Sequence, residues 1–476
     1  MQQNDRFFFE GFLLSLILTF LPFKAIAFTI PFIFFFLLLV RSKSGLLIKK
    51  FTFLVLIAGA VLSGYFVIYL FEDHTFIVSN GILSFINYSS FLILFLIPKN
   101  IISEKYNYEF YVKALLPFML VEGLYGISQR IISFFKGINH GDLVEGTINP
   151  FSAFVGSTSG FGNQFFTINL IFLLIFCFPY VYKEKKGIFS YGIAFLAVVL
   201  ASVGHAFYSL ILAVMLILVY YEGKSVLISP RRLMIVVAVP AIMIIALATL
   251  DANVFRDGSR QASLFFSGET PKSKAIEIVF QKVGEEYSFM HFIGLGPGQY
   301  SSRAGIIASG QYGPLSEFFA ALPFFNLGMT EAFEDNVLHY WQDYKKNSGY
   351  GNSTMNRPFL SLLSVYAEFG SLTVMALAVL VIYYIHQSKM RYAKAKKMKD
   401  QTAMILCYVF STSLLFLILI GLYENYYEAP QGVFVGALLI FTTHKLIDDR
   451  LNPKLMFPLT PTQVNIKSNK YLQQTT

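Results

Sequence analysis

The amino-acid sequence predicts an all-α integral membrane protein with about twelve transmembrane helices. Of its 476 residues, 55% are hydrophobic and only 14% are charged, and the mean hydropathy is +0.59. A soluble fold could not bury so much apolar surface. The apolar residues form blocks of roughly 17 to 25 residues, the length that crosses about 30 Å of hydrocarbon. The connections between these blocks alternate between basic and non-basic, as expected of a chain that crosses a membrane repeatedly.

The apolar blocks place the twelve predicted helices, with boundaries good to about four residues. They lie near residues 7–23, 26–40, 52–71, 77–97, 111–128, 165–182, 187–203, 206–221, 233–250, 359–386, 402–421 and 432–445. The first block is long and runs almost directly into the second. We therefore interpret it as a retained anchor and not as a cleavable signal peptide.

Short clusters of Lys and Arg follow the even-numbered helices. Arg41 and Lys43 follow helix two, Lys183 follows helix six, and a dense basic cluster between Lys389 and Lys399 follows helix ten. Basic connections stay in the cytoplasm, so both chain termini are predicted to be cytoplasmic.

This topology divides the chain into four parts. Residues 1–250 hold helices one to nine and a short outer loop near 132–164, and residues 251–358 form one large outer loop. Residues 359–446 hold helices ten to twelve, and residues 447–476 form a cytoplasmic tail. The large loop is too long for a simple connector. We expect it to form a small ordered cap, in which functional residues concentrate.

Several classes of function are excluded by the sequence. The net charge of +9 is explained by topology, and no basic-aromatic module for nucleic acid is present. Cys177 and Cys407 fall inside apolar blocks, which argues against a disulfide framework or a thiolate metal site. The seven histidines are scattered without the spacing of metal ligands. The turn 294–298 lacks the Lys-Ser/Thr of a phosphate loop, so no nucleotide cofactor is expected.

Isolated cations on the predicted outer side are candidates for binding an anion. Arginine stays charged and grips phosphate oxygens through a planar fork, so a few converging arginines could stabilise a departing pyrophosphate without a metal. Arg260 and Arg303 are preferred, because small residues beside them let a polar ligand approach. For each cation the alternative is a charge that contacts only solvent or lipid headgroups. This alternative fits the position of Arg357 at the mouth of helix ten. The isolated outer cations are Arg130, Arg256, Arg260, Lys272, Lys274, Arg303 and Arg357. Of these, the predicted binding residues are Arg130, Arg260, Lys274, Arg303 and Arg357.

His205 and Glu368 are candidates for general-base catalysis. His205 falls at the predicted outer junction of helices seven and eight, where it could accept a proton from a hydroxyl group. Glu122 and Glu368 lie inside apolar segments, where an ionisable group is a functional hypothesis by default. Glu368 is within about three helical turns of the outer end of its helix, so it could face an open cavity. The alternatives are a structural histidine and buried, hydrogen-bonded carboxyl groups.

Three short stretches, in this order on the predicted frame, resemble the O-antigen polymerases and O-antigen ligases of bacterial envelope polysaccharide assembly. The resemblance covers most of the chain in topology but only these stretches in sequence. They are Ser159-Gly-Phe-Gly-Asn-Gln-Phe165, Gly294-Leu-Gly-Pro-Gly-Gln-Tyr300 and Asn356-Arg-Pro-Phe-Leu-Ser-Leu-Leu-Ser-Val-Tyr-Ala-Glu368-Phe-Gly370.

The chain departs from the family pattern in places. Ligases carry a His-Asn pair at the start of the third stretch, where this sequence has Asn356-Arg357, and this favours the polymerase. The family also often has an Arg at the start of the helix that here begins with His205, and another upstream of the Gly-rich turn, where this chain offers Lys272 or Lys274.

The resemblance implies a GT-C-like, metal-independent glycosyltransferase in the bacterial inner membrane, with its active site at the periplasmic face. Its substrate would be undecaprenyl-pyrophosphate-linked oligosaccharide, which it would polymerise into O-antigen or capsule-type polysaccharide. Expected partners are membrane lipids, a chain-length regulator and a flippase. In this reading His205 or Glu368 takes the acceptor proton while the cations neutralise the leaving pyrophosphate.

Other functions also fit the sequence. A ligase would transfer finished polysaccharide to a lipid A core, and a relative could glycosylate protein. A polysaccharide flippase or secondary transporter would also have many helices, but transporters usually show repeated halves and broken helices at the midplane. A non-enzymatic membrane scaffold is the remaining class.

Overall fold

The computed structural model of the protein describes most of the chain and is all-α. The described residues are 2–22, 24–42, 45–72, 74–97, 107–138, 141–158, 160–223, 263–310, 314–323, 326–346 and 359–451. None of these residues forms a strand, which confirms the predicted fold class. Predicted helix nine, Arg260 and Arg357 lie outside the described residues.

The helices follow the apolar blocks of the sequence. The first half of the chain contains α1 (Gln2–Thr19), α2 (Lys24–Ser42), α3 (Gly45–Phe71), α4 (Val78–Asn87), α5 (Ser89–Leu96), α6 (Tyr108–Phe135), α7 (Ser152–Val155), α8 (Gly162–Glu184), α9 (Ile188–Ala201) and α10 (Gly204–Glu222). The second half contains α11 (Pro271–Ile278), α12 (Gly284–Glu286), α13 (Met290–Ile293), α14 (Arg303–Ala308), α15 (Pro314–Ala320), α16 (Glu331–Asn336), α17 (Leu338–Lys346), α18 (Ser361–Lys397), α19 (Gln401–Ile420) and α20 (Pro430–Leu451).

Within the described residues, seven helices are long and apolar enough to cross a membrane: α3, α6, α8, α10, α18, α19 and α20. Helices α4 and α5 make an eighth span if they are taken together, although they are bent by 67°. Helix α9 and the segment Ile26–Arg41 of α2 are shorter apolar helices. The protein is therefore a multi-pass membrane protein, while the predicted total of twelve spans stays a prediction.

The bend between α4 and α5 differs from the single helix predicted over residues 77–97. It occurs at Tyr88, which has φ −82° and ψ 3°. Buried polar residues, among them Asn87, Ser89 and Ser90, surround the bend. Non-helical backbone within a membrane span is tolerated where it is buried in protein, as it is here.

Side-chain hydrogen bonds join helix ends that are far apart in sequence. Asn163, near the start of α8, donates to the carbonyls of Gly141 (2.6 Å) and Ala201 (3.0 Å), the latter at the end of α9. Gln431, near the start of α20, donates to the carbonyl of Thr19 at the end of α1 (2.9 Å). These contacts define one end of the helix bundle, here called the loop end, which includes residues 141–158, 160–161, 202–203, 294–303 and 421–430.

Aromatic side chains form the core of the bundle. Phe34 of α2 makes edge-to-face contacts with Phe8 of α1 (5.7 Å) and Phe434 of α20 (5.6 Å). Phe172 of α8 packs edge-on against Phe416 of α19 at 5.1 Å, and a Cβ added at Gly436 would lie 2.5 Å from the Phe172 ring. Helix α8 is therefore enclosed by its neighbours, whereas the other described residues leave α3 exposed along most of its length.

The described part of the region between α10 and α18 consists of short helices with a buried core of their own. Helix α11 continues into a π-helical turn, Val279–Val283. Val279, Met290 and Phe333 pack together with Leu363 and Ala367 of α18. The region is thus packed against the first turns of α18.

Candidate functional site

The second sequence stretch lies directly against the described part of the third, which begins at Phe359, at the loop end. The backbone N–H of Leu295 donates to the carbonyl of Ala367 (2.8 Å), and that of Gly296 donates to the carbonyl of Glu368 (2.9 Å). Helix α18 is interrupted two residues later, at Gly370, where φ is 75° and ψ is 175°. The Gly-rich turn therefore pairs through its backbone with the break in α18.

Two glycines make this contact possible. Gly294 has φ 80°, and a Cβ there would lie 2.3 Å from the carbonyl carbon of Glu368. Gly370 has φ 75°, and its Cβ would lie 2.2 Å from the carbonyl oxygen of Phe292. A side chain at either position would be strained by the positive φ and would also collide with backbone atoms.

The carboxylate of Glu368 is fully buried beneath this turn. It accepts the backbone N–H groups of Gly298 (2.7 Å), Tyr300 (3.1 Å) and Ser302 (3.1 Å). A carboxylate with three backbone donors anchors the loop from 298 to 302. Its predicted role as a catalytic base stays a prediction, but the observed contacts are those of an anchoring group.

A second buried glutamate, Glu428, lies next to the same loop. Its Oε2 accepts the backbone N–H of Arg303, and its Oε1 accepts the hydroxyl of Tyr88 at 3.1 Å. Burial, and then the neighbouring carboxylate of Glu368, raise the pKa of Glu428 to about 8. Glu428 is therefore largely neutral at pH 7, and small changes of its surroundings shift its charge.

Arg303 begins α14 and is buried, with 4% of its surface exposed. Its Nη2 donates to the carbonyl of Asn425 at 3.3 Å. The guanidinium lies over the rings of Phe161 (5.1 Å) and Phe165 (5.9 Å), which belong to the first sequence stretch. A guanidinium on aromatic faces keeps its charge while it is shielded from water.

Arg303 forms part of the wall of a small cleft at the loop end. The cleft has a volume of about 30 Å³, room for about two water molecules, so a larger ligand requires movement of its walls. Arg303 and Gln431 are the polar side chains of this wall. The other lining residues are apolar or glycine: Ala27, Phe28, Phe161, Gly162, Phe165, Leu315, Ala429 and Pro430.

His205 is half-buried near the start of α10 and binds the same connection as Arg303. Its Nε2 lies 2.6 Å from the hydroxyl of Tyr426, which donates to Oε1 of Gln164 at 2.9 Å. The Tyr426 hydroxyl has one proton and donates it to Gln164, so Nε2 of His205 is the donor in its hydrogen bond with Tyr426. Nδ1 of the neutral ring then carries the lone pair that can accept a proton.

The structure brings together three of the predicted site residues and places two others elsewhere. Arg303, Glu368 and His205 are linked to one another through the loop 298–303 and the connection 421–429. Lys274 is exposed on α11. Arg130 is half-buried on α6, beside Gln129, whose side chain binds the carbonyls of Gly146 and Asn149. The roles predicted for Lys274 and Arg130 stay predictions.

Sequence reasoning missed the residues of the connection between α19 and α20. Its residues bind Arg303, His205 and also Lys272, a buried cation that donates to the carbonyl of Tyr423. The sequence feature that could have identified this connection is the stretch Tyr423-Glu-Asn-Tyr-Tyr-Glu428. Two carboxylates between adjacent apolar spans are costly unless they have partners.

Glu122, the other carboxylate in an apolar segment, has a different environment. It accepts the backbone N–H of Thr147 (3.0 Å), and the Thr147 hydroxyl lies 2.5 Å from its other oxygen. It therefore holds the short turn Gly146–Ile148 against α6.

Within the described part of the chain, His, Cys, Asp and Glu do not form a group of three or more that could hold a metal ion. Comparison of the chain with protein-family models, with curated proteins and with solved structures finds no match.

Proposed function

We propose that the protein is a glycosyltransferase that polymerises undecaprenyl-pyrophosphate-linked oligosaccharide repeat units into O-antigen or capsule-type polysaccharide. The main support is the buried guanidinium of Arg303 in the wall of an otherwise largely apolar cleft at one end of a transmembrane bundle. A cleft of this composition suits a ligand with both an apolar chain and an anionic group. A lipid-linked pyrophosphate is such a ligand.

In the proposed reaction, an acceptor hydroxyl attacks the anomeric carbon of the growing chain. A new glycosidic bond forms, the bond from that carbon to the pyrophosphate oxygen breaks, and the lipid pyrophosphate leaves. Arg303 stabilises the negative charge that develops on the leaving oxygen, because a preorganised cation away from water acts strongly on developing charge. Lys272 is a second buried cation next to the connection 421–429 and supports the same role.

His205 is the proposed acceptor of the hydroxyl proton, through Nδ1. Its partner Tyr426 fixes the tautomer, and Asn425, the preceding residue, binds Arg303. One short connection thus holds both the proton acceptor and the cation, which favours coordinated proton removal and departure of the leaving group. Glu368 holds the loop that presents Arg303.

The proposed location is the inner membrane, with both termini cytoplasmic and the loop end facing the periplasm. The positive charge after the even-numbered predicted helices supports this orientation. A chain-length regulator and a flippase are the proposed partners, since lipid-linked units must reach the outer face and chain length must be limited. The absence of the ligase His-Asn pair from the third stretch favours polymerase over ligase.

The test is the glycan length distribution in a strain that lacks the chain and is complemented with wild type, Arg303→Ala or Arg303→Lys. Loss of the ladder to a single repeat unit on the lipid A core supports the polymerase. Long lipid-linked chains with a bare core would identify a ligase instead. An unchanged ladder would contradict both. Arg260→Ala tests the second preferred arginine, which lies outside the described residues, in the same assay.

Arg450→Ala is the matched control. Arg450 lies at the opposite end of the bundle, where it pairs with Asp400 at 2.8 Å. Its loss should leave the ladder unchanged, which separates a specific effect at Arg303 from a general effect of losing an arginine. Immunoblots of the membrane fraction must show equal amounts of every variant.

A further inference from the structure

One chain segment, residues 425–428, binds both the side chain and the backbone of Arg303. The side chain donates to the carbonyl of Asn425, and the backbone N–H donates to the carboxylate of Glu428, three residues further along. The side-chain amide of Asn425 also donates to the carbonyl of Ser301 at 2.9 Å. The position of the guanidinium in the cleft is therefore set by residues 425–428.

The backbone of the loop that precedes α14 is shared between two carboxylates. Glu368 binds the N–H groups of residues 298, 300 and 302, and Glu428 binds the next one, that of Arg303. Glu368 therefore fixes the loop as a whole, whereas Glu428 is the carboxylate that touches the arginine itself. Its second oxygen is held by Tyr88, at the bend between α4 and α5.

We propose that Glu428 is a positioning residue for Arg303, and that ionisation of Glu428 weakens the binding of an anionic lipid pyrophosphate to the guanidinium. A neutral Glu428 accepts the N–H of Arg303 at Oε2 and, when protonated on Oε1, donates to the oxygen of Tyr88, and it places no negative charge beside the guanidinium. A charged Glu428 attracts the guanidinium and repels the ligand anion. The choice of ligand rests on the proposed function, whereas the positioning contact does not.

The groups that face Glu428 come from three elements. They are Tyr88 from the bend between α4 and α5, Arg303 from α14, and Glu368 from α18. Burial and Glu368 favour the neutral form of Glu428, whereas Arg303 and the hydrogen bonds favour the charged form. The balance is a pKa of about 8, so Glu428 gains its charge as the pH rises from 7 to 9. Ligand affinity should therefore fall over this range.

The test measures the affinity of the purified protein in detergent for a short-chain prenyl-pyrophosphoryl sugar between pH 6.5 and 9. This probe is a pyrophosphate diester, so its own charge is constant over this range. In wild type, we expect affinity to fall about tenfold between pH 7 and pH 9. In Glu428→Gln, affinity at pH 7 should match wild type and remain flat with pH. Glutamine can accept from the N–H of Arg303 and donate to the oxygen of Tyr88, but it cannot ionise.

Glu428→Asp tests positioning separately from charge. Aspartate ionises but is one methylene shorter, so it cannot keep both the Arg303 and the Tyr88 contacts. Affinity should drop about threefold to tenfold at pH 7, with the pH dependence retained. The matched control is Glu122→Gln. Glu122 is also buried, accepts one backbone N–H and contacts one hydroxyl, but both groups belong to Thr147. This variant should bind the probe like wild type at every pH.

The outcomes separate this inference from the proposed function. A pH dependence that persists in Glu428→Gln, or wild-type affinity in Glu428→Asp, overturns the role of Glu428 whatever the reaction. The purified protein could show the expected binding pattern while its Arg303→Ala variant still makes a normal glycan ladder in cells. This result overturns the proposed polymerase and keeps the inference about Glu428. Failure of wild type to bind the probe at any pH overturns both.

Discussion

Gly298 and Glu368, 70 residues apart in the chain, are joined by a hydrogen bond of 2.7 Å from the backbone N–H of the glycine to the buried carboxylate. The bond fastens the Gly-rich turn to α18 next to its break at Gly370. The Gly-rich turn leads along the chain to Arg303. The position of the Arg303 guanidinium therefore depends on the carboxylate of Glu368, which binds the turn and not the guanidinium.

Loss of the Glu368 carboxylate should destabilise this end of the protein. In Glu368→Ala, three buried backbone N–H groups lose their acceptor, which should cost about 3–5 kcal/mol. Glu368→Gln keeps the size and one acceptor oxygen, so its loss should be smaller. Thermal unfolding in detergent measures both. Equal melting temperatures for wild type and Glu368→Ala would show that the loop is held by other contacts.

The glycine at position 294 should resist substitution. Gly294→Ala combines a positive φ with a Cβ 2.3 Å from the backbone of Glu368, so we expect little folded protein. Gly137→Ala is the matched control, since Gly137 has φ 76° but nothing within 4 Å of its Cβ. It carries only the strain of the left-handed backbone, about 1 kcal/mol. Yields after size-exclusion chromatography compare the two, and equal yields would mean that the turn can move away from α18.

The sequence was sufficient to predict an all-α membrane protein, because apolar runs of membrane length leave few alternatives. Helix α8, predicted over residues 165–182, is found at Gly162–Glu184. The bend at Tyr88 was not predicted, since hydropathy averages over a window and does not detect a few buried serines and asparagines. The bend depends on tertiary partners, among them Glu428, which lies 340 residues away in the chain.

The candidate site could be predicted only in part, for a similar reason. Arg303, Glu368 and His205 were recognised because a charge or histidine beside small or apolar residues is conspicuous. Glu428 and Asn425 lie in a short polar connection, where such residues are usually solvated. Only the fold shows that this connection is buried between α18 and α14, with Ser361 donating to the carbonyl of Glu424 at 2.9 Å.

The shape of the Arg303 side chain should matter as well as its charge. Arg303→Lys keeps a positive charge, but it loses the planar fork and the stacking on Phe161 and Phe165. We expect polymerisation on purified lipid-linked repeat units to fall about tenfold to a hundredfold, and to fall further in Arg303→Ala. Wild-type rates in Arg303→Lys would mean that a point charge suffices and that the ring contacts are dispensable.

The hydrogen bond between His205 and Tyr426 should control the proton acceptor. In Tyr426→Phe, Nε2 of His205 loses the partner that fixes its tautomer, and the polymerisation rate should fall about tenfold, while His205→Ala should lose at least a hundredfold. His291 and Tyr366 form a similar pair, with Nδ1 and the hydroxyl 2.7 Å apart, and this pair provides the matched control. Tyr366→Phe should therefore leave the rate unchanged. Equal losses in Tyr426→Phe and Tyr366→Phe would assign both pairs to stability, and a normal rate in His205→Ala would remove His205 as the base.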